Sequence, residues 1–310
     1  MVAKYGGEEA RWAEGADGLR VHYRVSGPED GRPLVLIHGT AASLHTWEPL
    51  RARLDDRYRV IAYDQPGHGL TGPHPARDYT YDGMADGLEA VLAAEGIDRA
   101  VLIGNSMGGW VAWRHALARP DQVAALVLLD ASGIPTEEAS EGNLGFTLMR
   151  SGLGRAAMQR LTPRAAVEAS LRQSVSNGAV VTDEAVDRYW ELLRCPGNRQ
   201  AAGDQFTAAR IDASDRLGAV VAPTLVLWGV EDRLVPVSSA QGFVKKMPNA
   251  EAVLYEGIGH LPMEEAPDAV AADVRTFLSA FLDIDEENAA RRLIRTCPVG
   301  SFCEMDETEF

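Results

Sequence analysis

The sequence predicts an α/β fold: a mostly parallel sheet, doubly wound by helices, with an all-helical segment inserted after the sixth strand. Three observations carry this. Short, continuously apolar runs at residues 33–37, 100–103 and 123–129 read as strands buried on both faces. Stretches with helical spacing separate them, and that alternation is how a parallel sheet with crossover helices is written in sequence. Between about residues 134 and 217 the alternation stops and only helical patterns remain.

The 310 residues suffice to bury a sizeable core. An apolar share of 46% and a charged share of 24% are those of an ordinary globular chain. The formal charge of −15 argues against nucleic acid or an anionic membrane surface as partner. No apolar run reaches the roughly 18 residues needed to span a bilayer. The first 18 residues lack the apolar stretch of a signal peptide. Three cysteines, Cys195, Cys297 and Cys303, make no disulfide framework, and no Cys/His spacing suggests zinc. The expectation is a soluble cytoplasmic protein acting on a small molecule. Its oligomeric state is not legible.

Taken in order, residues 11–16 and 19–25 read as a first hairpin turning at Asp17-Gly18. Strand 33–37 stops at the small-residue loop His38-Gly39-Thr40-Ala41-Ala42-Ser43. A helical pattern with Trp47, Leu50 and Leu54 on one face follows. Strand 58–63 ends in the glycine-rich loop from Asp64 to Gly69, and 81–95 reads as a helix. Strand 100–103 runs into Gly104-Asn105-Ser106-Met107-Gly108-Gly109, then a helical pattern up to Pro120. Strand 123–129 ends at Asp130. Helical patterns at 144–149, 153–161, 165–173, 183–193 and 200–211 fill the insert. The alternation resumes with strand 223–228, ending at Gly229-Val230-Glu231-Asp232, a helix at 238–247, and strand 250–255, ending before Gly259-His260. A last amphipathic helix spans 267–282. The expected division is a core of 1–133 and 218–282, a helical cap of 134–217, and a C-terminal extension of 283–310, mobile beyond Arg295.

Ser106 occupies the apex of a strand–turn–helix, with glycines two residues to either side where strand and helix approach too closely for side chains. Alone, such a pattern arises by chance in about one chain of this length in ten. Its neighbours raise its meaning. Ligands of open parallel sheets bind outside the carboxyl ends of the strands, and His38-Gly39-Thr40, Asp64, Ser106, Asp232 and His260 all follow strands. A serine needs a base within hydrogen-bond reach, and the base needs an acid to orient it.

The order Ser…Asp…His, the elbow Gly-Asn-Ser-Met-Gly-Gly, the early His-Gly-Thr loop, Trp-Gly-Val-Glu-Asp and Gly-His-Leu-Pro together resemble the α/β-hydrolase family over residues 11–282. The resemblance implies Ser106 as nucleophile, His260 as general base and then acid, and Asp232 as orienting carboxylate. It implies an oxyanion hole from the backbone N–H groups of Thr40 and Met107. Asp232 competes with adjacent Glu231 and with Asp130; the run to Pro236 resembles the family's acid position at Asp232. His38, Asp64 and His68 read as structural, Trp110 and Trp113 as helix packing, and Cys195 as an inert cap residue. No phosphate-binding fingerprint is present, so no cofactor is expected.

Serine at 106, where dehalogenases and epoxide hydrolases of this fold carry aspartate, implies acyl transfer. Thr40-Ala41-Ala42 departs from the Gly-Gly-Pro of proline iminopeptidases. The elbow is also similar to that of hydrolases cleaving carbon–carbon bonds in ring-fission dienones, although Leu261 stands where those carry tryptophan. The first expectation is therefore a serine hydrolase of small, largely apolar carboxylic esters. The second is a carbon–carbon hydrolase, or a non-hydrolytic ligand-binding or biosynthetic member of the fold; perhydrolase and haloperoxidase relatives share the triad. Apolar cap residues, Val167, Leu171, Trp190 and Phe206 among them, suggest a hydrophobic pocket. Gly142, Gly145, Gly152 and Gly154 suggest a hinge at the cap entrance.

Overall fold

Alternate residues of a strand point to opposite faces, and in the central strands both sets are apolar. The computed structural model describes residues 1–135, 151–209, 211–282 and 294–298. Its strands are β1 (Arg11–Glu14), β2 (Arg20–Ser26), β3 (Pro33–Ile37), β4 (Arg59–Tyr63), β5 (Ala100–Asn105), β6 (Val123–Leu129), β7 (Thr224–Gly229), β8 (Ala250–Glu256) and β9 (Ile294–Pro298). In β3, Val35 and Ile37 enter the core on one face, Leu34 and Leu36 the core on the other. β5 divides likewise, Ala100 and Leu102 against Val101 and Ile103. Each fully buried Val, Leu or Ile is worth about 1.5–3 kcal/mol, so such strands are stable only with helices on both sides.

Those helices are present. α1 (Glu48–Arg51), α2 (Tyr81–Ala94) and α3 (Met107–Ala118) precede the insert. α4 (Gly152–Arg160), α5 (Arg164–Ser174), α6 (Asp183–Leu193) and α7 (Asn198–Thr207) lie within it. α8 (Ser238–Lys246), α9 (Pro262–Glu265) and α10 (Pro267–Leu282) follow. α2, α3 and α8 cover one face through Leu88, Val111 and Phe243; α1 and α10 cover the other through Leu50, Val270 and Leu278. Trp110 and Trp113 are buried against the sheet.

The sheet order is β1-β2-β4-β3-β5-β6-β7-β8-β9. β1–β2 and β2–β4 pair antiparallel, and every other pair is parallel. The chain moves from β3 outward to β4, then returns to β5 on the opposite side of β3. Loops leaving β3 and β5 therefore diverge, opening the crevice at which ligands of such sheets bind.

Three details differ from the sequence expectations. The pattern around Trp47, Leu50 and Leu54 gives one α-helical turn, continued by hydrogen-bonded turns to Tyr58. The pattern at 200–211 starts earlier and stops at Thr207, since left-handed Gly197 leads into α7. Within the C-terminal extension, Ile294–Pro298 forms β9, parallel to β8 at the sheet edge. The helical pattern at 144–149, Gly142, Gly145 and Cys303 lie outside the described residues. Gly152 and Gly154 belong to α4, whose N-terminus is capped by the Ser151 hydroxyl accepting from the Gly154 N–H at 3.0 Å.

Candidate active site

Ser106 sits between β5 and α3 at φ 54°, ψ −117°, a region L-residues rarely adopt. The turn is this sharp because the neighbouring backbones nearly touch. A Cβ at Gly104 would run into the Gly108 backbone, and one at Gly108 into the Ile37 carbonyl. The Ser106 N–H donates to the Leu129 carbonyl at 3.0 Å, while its own carbonyl accepts from Trp110 and Ser132. Strain is held on three sides. The residue is 8% exposed and lines a cavity.

His260 lines the same cavity. Its Nδ1 lies 2.7 Å from Asp232 Oδ2, and Asp232 Oδ1 accepts from the N–H groups of Leu234 (2.7 Å) and Val235 (3.2 Å). Backbone donors thus fix the carboxylate, which in turn fixes the ring with Nδ1 as donor and Nε2 free to accept. Glu231 is exposed. Asp130 is nearer: one oxygen of it, one of Asp232 and a ring nitrogen of His260 lie within 4.8 Å of one another. Among the described residues this is the one group of three with metal-binding side chains. Asp232 and the Nδ1 of His260 are already committed to the hydrogen bonds above, so the donor set is poorly suited to a cation.

The loop after β3 forms the opposite wall. The His38 Nε2 accepts from the Gln65 N–H at 3.0 Å, and its Nδ1 meets the Gly39 carbonyl at 2.8 Å. The His68 Nε2 accepts from the Ala41 N–H at 3.1 Å, holding Ala41 at φ 61°. Both rings must be neutral to accept these bonds. Burial lowers the pKa of His38 and, reinforced by His38, brings His68 down to about 3. Asp64 accepts from the N–H groups of Leu44 and Leu70 and from His22, knitting the two loops together. Among the described residues the N–H groups of Thr40 and Met107 donate to no protein acceptor. The Thr40 hydroxyl reaches the Met107 sulfur at 3.4 Å, so the two residues are adjacent. Met107 opens α3, where a helix offers its unpaired N–H groups.

The remaining wall is the insert. Val167, Leu171 and Ser174 of α5, Tyr189 and Leu193 of α6, and a stripe of α7 line the cavity. Val167, Leu171 and Phe206 thus belong to the cavity, whereas Trp190 packs within the insert, its Nε1 donating to the Thr162 carbonyl at 2.7 Å. Cys195 is buried, and burial raises its thiol pKa. Among the described residues no helix is long and apolar enough to cross a membrane.

Two residues have roles that sequence reasoning missed. Asn105 Nδ2 donates to the carbonyls of Leu129 (3.2 Å) and His260 (3.0 Å), joining the serine strand to the histidine loop. Glu265 accepts from Gly259 (3.0 Å) and Leu261 (3.4 Å) on the histidine loop, and from Ser176 (2.8 Å) and Asn177 (2.9 Å) on the insert. The available signal was a glutamate five residues after Gly-His, at the end of a one-turn helix.

A family model described as "Alpha/beta hydrolase family" matches residues 34–273. Among curated relatives, a 2-hydroxy-6-oxononadienedioate/2-hydroxy-6-oxononatrienedioate hydrolase of Dechloromonas aromatica is 30% identical, covering 87% of this chain and 94% of its own. The putative carbamate hydrolase RutD of Variovorax paradoxus is 34% identical over 72% of this chain and 82% of its own. Among solved structures, the esterase RhEst1 from Rhodococcus sp. ECU1013 superposes with a TM-score of 0.74 at 31% identity, covering 88% of this chain and 99% of its own.

Proposed function

The chain belongs to the alpha/beta hydrolase family, and from that premise we propose that it is a serine hydrolase of small, largely apolar carboxylic esters. One observation carries the reading: Ser106, at a strained apex, shares a cavity with His260, whose Nδ1 is held by Asp232. Ser106 Oγ attacks the ester carbonyl as its proton passes to His260 Nε2. The carbonyl oxygen becomes an oxyanion facing the N–H groups of Thr40 and Met107. Collapse expels the alcohol, which takes the proton from His260, and leaves an acyl-serine. Water, deprotonated by His260, then attacks the acyl carbon; Ser106 leaves with the returned proton and the acid is released. Asp232 keeps the imidazolium oriented throughout.

Residues 134–217 act in this reading as the cap that sets specificity, and the similarity to the esterase RhEst1 supports ester substrates. Turnover of short p-nitrophenyl esters, abolished in Ser106→Ala, is the expected result. Equal rates for wild type and variant would overturn the proposal. A fluorophosphonate that labels wild type but not the variant checks serine activation directly.

A second reading, carbon–carbon bond hydrolysis, has one specific observation in its favour. Arg199 lines an otherwise largely apolar cavity, and its guanidinium donates to the Arg160 carbonyl at 3.1 Å. A cation there suits an anionic acyl part, as in the dioates named for the Dechloromonas relative. Assay of a ring-fission dienone acid beside the esters separates the two.

A further inference from the structure

We propose that Asp130 is held as a neutral carboxylic acid and is a positioning residue for Asp232, the two forming an unequal acid pair behind His260. The inference rests on the triad reading above.

Asp130 follows β6 directly and is fully buried, as Asp232 nearly is. Its backbone adopts φ 46°, uncommon for a residue other than glycine, with its N–H donating to the Leu227 carbonyl at 3.0 Å. The chain thus holds a strained residue whose side chain comes within 4.8 Å of both Asp232 and His260. Two carboxylates this close and this dry cannot both be charged. Hydrogen bonds decide which one keeps the charge. Asp232 receives three: His260 Nδ1–H and the N–H groups of Leu234 and Val235. Asp130 receives one, from the Gly229 N–H to Oδ1 at 3.0 Å, and its buried Oδ2 has no partner. A buried anionic oxygen without a donor is costly. A proton on Oδ2 removes the charge and turns that oxygen into a donor.

The other titratable groups around the pair push the same way. Glu265, mostly buried beside the histidine loop, adds a further acidic group. Tyr255, at the end of β8, donates its hydroxyl to Asp273 and offers nothing to Asp130. Burial first, and then the charge of Asp232, raise the Asp130 pKa far above the ordinary carboxylate range. His260 consequently faces one negative charge rather than two.

The experiment reads protonation directly. In the infrared difference between wild type and Asp130→Asn at pH 8, the carbonyl stretch of a protonated carboxyl is expected. In Asp232→Asn the same acid band is expected to titrate away at a lower pH than in wild type, because burial still favours the proton while the repelling charge is gone. A carboxylate band in the first difference, or a titration of the acid band unmoved by Asp232→Asn, overturns the proposal. Wild-type protein labelled with ¹³C-aspartate needs no variant: one carboxyl resonance stays at its protonated position at pH 8, and its absence also overturns the proposal. In turnover, Asp130→Leu lowers kcat at least tenfold and Asp130→Asn recovers most of that loss with an unshifted acid limb of the pH profile. Loss of activity in Asp130→Asn equal to that in Asp130→Leu counts against it. The spectroscopic signals report Asp130 whether or not the enzyme turns over. Failure of the triad reading would appear separately, as an unlabelled Ser106.

Discussion

The backbone N–H of His260 donates to the carbonyl of Ser174, the last residue of α5, at 2.8 Å. The proposed general base is thereby stitched to the insert that walls its cavity. Glu265 doubles the seam, taking two N–H groups from each side, and neighbouring Glu264 accepts from the Tyr189 hydroxyl of α6 at 2.7 Å. α5 and the histidine loop are therefore joined by hydrogen bonds on both sides of the seam.

Glu265→Gln tests this seam. The amide nitrogen must face N–H donors, and each buried group left unsatisfied costs about 1–3 kcal/mol. The variant should melt several degrees lower and lose about tenfold in kcat on a p-nitrophenyl ester while still folded. Thermal denaturation with kinetics below the transition checks both. A lower melting temperature with unchanged kcat would reduce Glu265 to a structural staple.

Asp232→Asn removes the acceptor at 2.7 Å from His260 Nδ1 and leaves the ring free to take the wrong tautomer. A loss in kcat of roughly 10³- to 10⁴-fold is expected. Steady-state kinetics and circular dichroism, the latter unchanged, are the measurements.

Gly108→Ala puts a methyl against the Ile37 carbonyl at the foot of the elbow. Backbone cannot yield as a side chain does, so destabilisation of about 3 kcal/mol or more is expected. Urea unfolding of the variant would show it, and a shift under 1 kcal/mol would refute the close approach.

Burial lowers the pKa of His38, His45 and His68, to about 4 for His45 and about 3 for His68. An unfolded histidine protonates near 6.5, so between that pH and the folded value the unfolded chain binds more protons at these sites. Their contribution to stability is complete above about pH 6.5 and is lost as pH falls towards 3. His68→Gln, whose side-chain oxygen can still accept from the Ala41 N–H, should flatten the fall of melting temperature between pH 6.5 and 4. An unchanged slope would mean that His68 is protonated in the folded protein.

Arg199→Gln is expected to raise KM roughly tenfold for a monoester carrying a distal carboxylate, and to affect a neutral ester of equal length much less. Equal effects on both would leave Arg199 a packing residue.

The core was legible because its physics is local. An apolar run of four to seven residues that ends in glycine, histidine or aspartate declares a buried strand and its loop, and β3, β5, β6 and β7 fall where the runs do. Ser106, with glycines at 104 and 108, announced the turn by the side chains it cannot tolerate. The insert was legible as helical but not as a wall. Which faces line the cavity depends on how α5, α6 and α7 pack, and the sequence carries the periods without the packing.

The sequence by itself thus determined the order of β1 to β8 and of the helices between them, and the residue types at each strand end. Periodicity and backbone sterics operate within a few residues, and the chain cannot hide them. Resemblance favoured Asp232 over Glu231 and Asp130, and only the tertiary structure shows how the three lie around the imidazole. Glu231 is exposed, while Asp130 and Asp232 are buried within reach of the same imidazole. Asp232 alone has the ring at 2.7 Å and two backbone donors behind it. The two backbone donors lie on Asp232's own loop, but the imidazole comes from a separate loop, and its approach is a property of the folded space that no local pattern encodes.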